Sequence, residues 1–400
     1  MFESIKVASF LAFKQIQRGN KGTLILTIMI IALIFVNLVF LPSIISGVIE
    51  TFNSQSINFN YGNLVIEPRE GDQYISDVET LQQKVERIPG IIGTSPRIST
   101  GVTYFYKGRN ARSTLYGINP TDERSVTTID QNLIAGEFLS DGDTDRIVMG
   151  GILAGTEGEE GGGLPSLQGV QVGDSVEVAF PNGERRTFQV KGIYETESIG
   201  VDTSAFVTTE AIDAVLGLDN QASQILVKTA VNGEEEMFRT RLLAYGVQQQ
   251  VFTYQQKAAG FVDQAIQSFE IINAISTLVS LIIAIVVVFI VIFINTVNKR
   301  RQIGILKAIG INRQIIINSY VIQVLVITSV GTVVGLVLTS GVITYLTINP
   351  LIFPGGPVYP VVEAMTIIRS VASLFIVSVI AGYIPAWKTA REDILDAIQR

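Results

Sequence analysis

The residues of this 400-residue chain that could do chemistry are few in kind, because it contains neither histidine nor cysteine. Zinc sites of the Cys/His type, disulfides, Cys or Ser/His nucleophile pairs and imidazole proton relays are therefore excluded. What remains is carboxylate, ammonium and guanidinium chemistry. Glu157, Glu159 and Glu160 are near enough in sequence to ligate a hard cation, but the surrounding TEGEEGGGLPS run is too glycine-rich and acidic to pack and reads as a loop. The glycines at 150–151 and 161–163 are followed by no lysine, and no G-x-x-x-x-G-K-[ST] run occurs, so the chain has no phosphate-cradling loop of its own. Charge and apolar spacing combine in one place, Lys299-Arg300-Arg301-Gln302-Ile303-Gly304-Ile305-Leu306-Lys307-Ala308-Ile309-Gly310. Ile303, Leu306 and Ile309 recur at near-helical spacing, and Gly310 is placed to end the helix. By spacing alone this is a short amphipathic helix resting on a lipid surface, its cations against anionic headgroups.

The elements that position these residues belong to a membrane protein, since 48% of the chain is hydrophobic and only 16% charged. Four stretches, residues 23–41, 275–294, 315–346 and 366–384, are long enough for a hydrocarbon core that takes roughly 20 helical residues to cross. The first three are free of charge. The fourth contains Arg369, whose cost of about 2.5 to 3.5 kcal/mol at mid-membrane is offset by nearby Ile, Leu, Val and Phe at about 0.3 to 0.6 each, and which reads as snorkelling to an interface. The first is an uncleaved anchor, too long for a signal peptide and without a small-x-small site after it.

Twelve basic residues flank these spans at both termini and between the second and third, against the four acids Glu3, Glu392, Asp393 and Asp396. The positive-inside rule puts those segments in the cytoplasm and residues 50–263 outside, where the charge is strongly acidic. Nucleic acid is excluded as a main partner by the net charge of -7. In the external segment, 63–67, 101–106 and 113–118 read as strands and 78–87 as a helix, and strand, helix, strand recurs at 224–228, 234–243 and 247–254. The stretch from about 120 to 218 looks all-β, with a hairpin at Pro181-Asn182-Gly183 joining 175–180 to 185–193. Helical pattern continues outward from the first span to residue 56 and inward from residue 254 to the second, as two stalks. Before the first span, Phe2, Ile5, Ala12, Phe13 and Ile16 share one side of a helix, with Lys6 and Arg18 opposite. Gly331 and Gly335 let helices approach closely, within the chain or across a dimer, and Asn37, Asn295 and Gln323 can hydrogen-bond between helices or serve a substrate.

Residues 299–310 resemble the coupling-helix segment of permeases related to MacB, LolC, LolE and FtsX. The run Gly382-Tyr383-Ile384-Pro385-Ala386-Trp387-Lys388-Thr389-Ala390-Arg391-Glu392-Asp393-Ile394-Leu395-Asp396-Ala397-Ile398 is similar to that family's closing signature. One span, a large external domain and three further spans match the family layout over the whole chain. Gln302 stands where the family usually has an acid, and Ile394 where it usually has proline.

The fold class expected is an α-helical membrane protein with four transmembrane helices plus a large extracytoplasmic α+β domain, a mixed sheet with helices and an inserted small all-β subdomain. Its parts are a cytoplasmic interfacial helix (1–21), first span (22–45) with stalk to about 57, MacB-like core domain (58–255) with the β-rich insertion at about 120–218, and stalk with second span (256–298). A coupling helix (299–314), third span (315–347), short external loop (348–365), fourth span (366–386) and cytoplasmic tail (387–400) complete it.

The resemblance implies a multi-pass ABC transporter permease of the cell (inner) membrane, not itself an enzyme and with no cofactor bound directly. ATP and Mg are handled by a partner ABC ATPase in two copies. The permease pairs as a homodimer or with a related permease, in contact with membrane lipid and with a membrane-fusion adaptor or other external partner. Ile303, Gly304, Ile305, Leu306, Lys307, Ala308, Ile309 and Gly310 would couple to the ATPase. The tail signature is carried by Pro385, Ala386, Lys388, Ala390, Arg391, Asp393, Asp396 and Ala397. Mechanotransmission to the external domain would export or extract a lipophilic or peptide-like substrate. The alternative is an FtsX-like signalling scaffold that activates an external enzyme such as a cell-wall hydrolase.

Overall fold

The computed structural model describes residues 2–156, 164–353 and 356–391. The chain divides into two compact units, one of Met1–Ile49, Ala265–Leu351 and Val358–Arg400, the other of Glu50–Gln264 with Ile352–Pro357.

The first unit is helical. Among the described residues four helices are long and apolar enough to cross a membrane, within Lys21–Tyr61, Gln267–Asn298, Arg313–Ile348 and Ala364–Lys388. Each is bounded by polar residues and has an interior of Ile, Leu and Val, so hydrophobic burial and lipid contact favour the same helical state. Their shared core includes Ile31, Phe35, Ala284, Val288, Tyr320, Val324, Leu374 and Ala381. Gly331 and Gly335 are packed inside the chain: a Cβ at Gly331 would lie 2.6 Å from Ile31, and one at Gly335 2.9 Å from Phe35 and 3.0 Å from the Ala32 carbonyl. The small-residue stripe therefore joins the third apolar helix to the first. Gly382 lets the fourth approach Val324 of the third in the same way.

Several polar groups in this unit find partners close by. Asn37 Oδ1 accepts from Ser276 Oγ at 3.0 Å and Ser280 Oγ at 2.8 Å, tying the first helix to the second. Pro42 lies inside the first helix and has no N–H to give the Leu38 carbonyl, which instead accepts from Ser370 Oγ of the fourth at 3.1 Å. Further out, the Val361 N–H donates to the Ser43 carbonyl at 2.9 Å, and Gly47 leaves room for the backbone of Tyr359.

The second unit is built on a mixed sheet. From one edge its order is Gln250–Thr253, Leu64–Glu67, Gln224–Thr229, Ile91–Tyr106, Arg109–Ile118, Ala205–Thr208, Arg146–Gly150, Arg185–Tyr194 and Leu133–Gly136. A further strand, Ser175–Ala179, pairs both with Ile91–Tyr106 and with Arg185–Tyr194. That double pairing closes six strands into a ring, because Ile91–Tyr106 is long enough to pair near its start with Gln224–Thr229 and near its end with Ser175–Ala179. The ring encloses Val102, Tyr104, Leu115, Met149, Val178, Phe188 and Val207. Its closure leaves the ring strands no unpaired edge.

The helices Val78–Glu86 and Glu235–Ala244 cover one face of the open part of the sheet, where Leu81, Val85, Phe238 and Leu242 meet Leu64, Ile66, Ile225 and Val227. On the other face Val65 and Leu226 pack against Val126.

Two expectations need correction here. Residues 120–218 are not all-β, since Pro120–Val126, Gly151–Ala154, Ile199–Asp202 and Thr209–Leu216 are helical. Nor is the β-rich part a separate insertion, because two of its ring strands, Ile91–Tyr106 and Arg109–Ile118, precede residue 120. A helix-start signal at residue 119 outweighs the strand pattern around it: Asn119 Oδ1 accepts from the Thr121 and Asp122 N–H groups at 2.9 and 3.1 Å, Pro120 follows, and Asp122 and Glu123 occupy the first turn.

Candidate coupling segment and stalk root

The second apolar helix runs from Tyr254 to Asn298, and a separate short helix, Arg300–Ala308, follows it. Ile303 is 3% exposed and Gly304 is buried, which anchors one face of the short helix in the helical core. Ile305 and Ile309 are 46% and 76% exposed. The expected apolar stripe is thus graded, since Ile303 is buried, Leu306 and Lys307 half-buried, and Ala308, Ile309 and Gly310 open. The helix ends in a Schellman arrangement: Gly310 N–H donates to the Lys307 carbonyl at 3.0 Å, Ile311 N–H donates to the Leu306 carbonyl at 3.1 Å, and Gly310 has φ of 96°. Asn312 then caps the third apolar helix through the Gln314 N–H at 3.0 Å.

Two neighbours frame this segment. Lys299 Nζ donates to the Gln15 carbonyl of the helix Phe2–Gln17 at 3.3 Å. Ala386, of the tail signature, is 1% exposed and shares the core of Ile303. Pro385 is buried within a helix that continues to Arg391, Lys388 is exposed, and the Arg391 guanidinium lies 4.0 Å from the Trp387 ring centroid. Asp393, Asp396 and Ala397, and likewise Glu157, Glu159 and Glu160, fall outside the described residues, as does the side chain of Ala390. Among the described residues no group of three or more His, Cys, Asp or Glu side chains is placed to hold a metal ion. Gln323 is buried, and Asn295 is half-buried.

Sequence reasoning missed a second polar assembly, in the sheet domain where the first stalk ends. Residues Ser56–Tyr61 form a π-helical turn, and Gly62, with φ of 63°, releases the chain into the strand Leu64–Glu67. Beside this turn, Arg97 and Glu123 make an ion pair in which the side chains are only 2% and 1% exposed. Arg97 Nε donates to Glu123 Oε2 at 3.1 Å, Nη1 to the Asn60 carbonyl at 3.1 Å, and Nη2 to the Phe59 carbonyl at 3.4 Å. The guanidinium also sits 5.4 Å from the Tyr116 ring and 5.5 Å from the Phe206 ring. Glu123 accepts further from Ser95 Oγ and Thr127 Oγ1, each at 2.7 Å.

Burial by itself would raise the Glu123 pKa, but the Arg97 charge and these hydrogen bonds outweigh it and hold the carboxyl below its ordinary value. The stability this contributes is present above the unfolded carboxyl's pKa and is lost as pH falls through the depressed one. The assembly's one sequence signal is an arginine and a glutamate inside otherwise packed elements, and pairing them requires knowing that residues 26 apart in sequence meet.

The second stalk begins beside the first. Leu64 pairs directly with Thr253, so the chain leaves the first stalk and enters the second at opposed positions of neighbouring strands. Tyr254 N–H donates to the Asn63 carbonyl at 3.1 Å, and Lys257 Nζ meets Glu67 Oε1 at 2.5 Å.

Comparison with known proteins agrees with this two-part construction. Residues 24–245 match the MacB-like periplasmic core domain and residues 274–394 the FtsX-like permease C-terminal region. The first match alone spans more than half the chain, and the chain belongs to the MacB/FtsX-like permease family, of the ABC transporter permease type. No curated protein matches the chain. Among solved structures it is similar to the extracellular domain of the noncanonic ABC-type transporter YknZ from Gram-positive bacteria, at 15% identity over 48% of this chain and 97% of that one, with a TM-score of 0.35. It is also similar to the periplasmic region of MacB from Actinobacillus actinomycetemcomitans, at 12% identity over 51% and 91%, with a TM-score of 0.36.

Proposed function

We propose that the chain is the permease of an ABC exporter in which ATP-driven motion of partner subunits is transmitted to the MacB-like domain, with no passage of substrate through a pore in the spans. Two copies of a separate ATPase, carrying ATP and Mg, act on a dimer of this chain or of this chain with a related permease. The termini and residues 299–314 face the cytoplasm, and the sheet domain faces outward. The observation that carries the reading is the helix Arg300–Ala308, held on one side by buried Ile303 and Gly304 while Ile305 and Ile309 stay open for a partner. Exposed isoleucines next to cations suit a protein groove that buries apolar anchors and pairs charge at the rim. The near absence of ionisable groups in the spans favours handling of a lipophilic or peptide-like substrate on the outer side.

The test uses the full chain in lipid nanodiscs with the ATPase encoded beside it. Ile309→Asp and Leu306→Asp are expected to lower permease-dependent ATPase activity and complex formation at least tenfold. Wild-type coupling in both variants would sink the assignment.

A further inference from the structure

A π-helical turn at the end of a stalk is a mechanical weak point. Its wide i→i+5 hydrogen-bonded loops are rare and concentrate at functional positions, and here it leads into Gly62, whose positive φ favours glycine. Left to the backbone alone, Ser56–Tyr61 would act as a swivel, and a push along the first helix would turn this joint before it moved the sheet.

Three side chains and one backbone N–H from elsewhere in the domain hold the turn. Arg97 grips the carbonyls of Phe59 and Asn60. The Asn58 carbonyl accepts from the Thr128 N–H at 2.9 Å, and Asn58 Oδ1 accepts from Lys228 Nζ at 3.2 Å. Asn60 Nδ2 donates to Ser198 Oγ at 3.4 Å. Of these ties the arginine is itself held in place, by Glu123 and by the rings of Tyr116 and Phe206.

Arg97 also occupies a special place in the sheet. It lies on Ile91–Tyr106, the strand that belongs both to the open sheet and to the closed ring, and at Arg97 that strand pairs with Gln224 on one side and Ile118 on the other. A force delivered to Arg97 therefore enters both halves of the domain.

We infer that the buried Arg97–Glu123 pair is the lock of the stalk joint, converting the π-helical turn from a swivel into a rigid coupling between the stalk residues 50–55 and the sheet domain. The inference rests on the transmission reading above and assigns to it two positioning residues within the sheet domain. A planar guanidinium is required because one side chain must reach two carbonyls and a carboxylate at once, which a lysine ammonium, a single point of charge, cannot do in that fork geometry.

The chain has no cysteine, so introduced thiols at exposed Glu50, on the stalk, and Gln83, on the sheet domain, would be its only labelling sites. With nitroxides at Glu50→Cys and Gln83→Cys in the full chain in nanodiscs, pulsed dipolar spectroscopy is expected to give one narrow distance distribution. Arg97→Lys, and separately Arg97→Met/Glu123→Leu, should broaden it at least twofold. The double variant leaves no charge buried without a partner, so it remains decisive where the single one unfolds. A wild-type distribution in the folded double variant would overturn the lock and leave the pair a packing element. The measurement involves no ATPase, so a rigid joint and a failed coupling assay can be told apart.

Discussion

The helical unit and the sheet domain handle polar groups in opposite ways. In the helical unit hydroxyls mostly bond back to their own helix, as Thr27 does to Thr23, Ser43 to Val39 and Thr339 to Gly335, at 2.7 to 2.8 Å. Contacts between its helices use glycines and a few hydrogen bonds such as those of Asn37 and Ser370. In the sheet domain the polar groups reach far along the chain, as from Asn63 to Glu235 or from Arg97 to Glu123. Where the surroundings are hydrocarbon, a polar group needs a partner within its own segment before segments meet. Where the unfolded chain is solvated by water, distant charged groups can wait for each other and make the final fold specific.

The largest effect expected from disturbing this contrast is at the buried ion pair. Arg97→Ala or Glu123→Ala leaves a lone charge in the interior, and thermal unfolding of the sheet domain within the full chain should register a loss of about 3 to 5 kcal/mol. Arg97→Met/Glu123→Leu should recover most of that loss. Equal losses in all three would mean that packing, not the uncompensated charge, is what matters at the site.

A smaller effect is expected from Asp202, which is 2% exposed and accepts from the Thr196 N–H and hydroxyl. Burial pushes its pKa up to about 6, against the opposing pull of the Thr196 hydrogen bonds. The folded state keeps this proton where the unfolded chain has already released it, so stability falls as pH rises from near 4 to about 6 and is level above that. Asp202→Asn should reduce that slope, worth roughly 3 kcal/mol over the window by the shift alone. Asp213, also raised to about 6 by burial and by Asp219 and Glu210, titrates in the same range, so the slope should be shallowest in Asp202→Asn/Asp213→Asn. A denaturation series from pH 4 to 7 that is unchanged by both substitutions would contradict the assignment.

In the helical unit the changes should be steric and smaller. Gly335→Leu forces a side chain against Phe35 and the Ala32 carbonyl and should cost about 1 to 3 kcal/mol in a detergent unfolding assay. A Cβ at Gly341 meets nothing within 4 Å, and Gly341→Leu should be close to neutral. Equal responses at the two glycines would show that helix propensity rather than close packing governs these positions.

Much of this construction was legible in the residues themselves. The spans follow from uninterrupted apolar runs, a local property with a strong signal. The cap at Gly310 and the hairpin at Asn182-Gly183 follow from backbone conformations that few residues adopt. The strand, helix, strand units at both ends of the sheet domain follow from periodicity. The helices within 120–218 were hidden because they are short, four to eight residues, and the strand signals around them are stronger.

The coupling segment was visible as a helix with an end, but which of its isoleucines would be buried was not. Ile303 and Ile309 are the same residue type at helical spacing, and their exposures of 3% and 76% depend on which neighbours cover each turn. Gly331 and Gly335 were readable as a close-packing stripe, while their partners, Ile31 and Phe35 of the same chain, were not.

The amino-acid sequence by itself determined the solvent of each segment, because hydrophobic transfer and charge cost are summed locally along the chain. It also determined that these 400 residues offer no thiol and no imidazole, which is a matter of which side chains exist. The tertiary structure alone decided that one strand serves both the sheet and the ring, and that two stalks leave from paired residues. It also decided that Arg97 meets Glu123 beside the backbone of a π-helical turn. Those are long-range coincidences in space, set by which surfaces pack together, and no local pattern of residues encodes them separately.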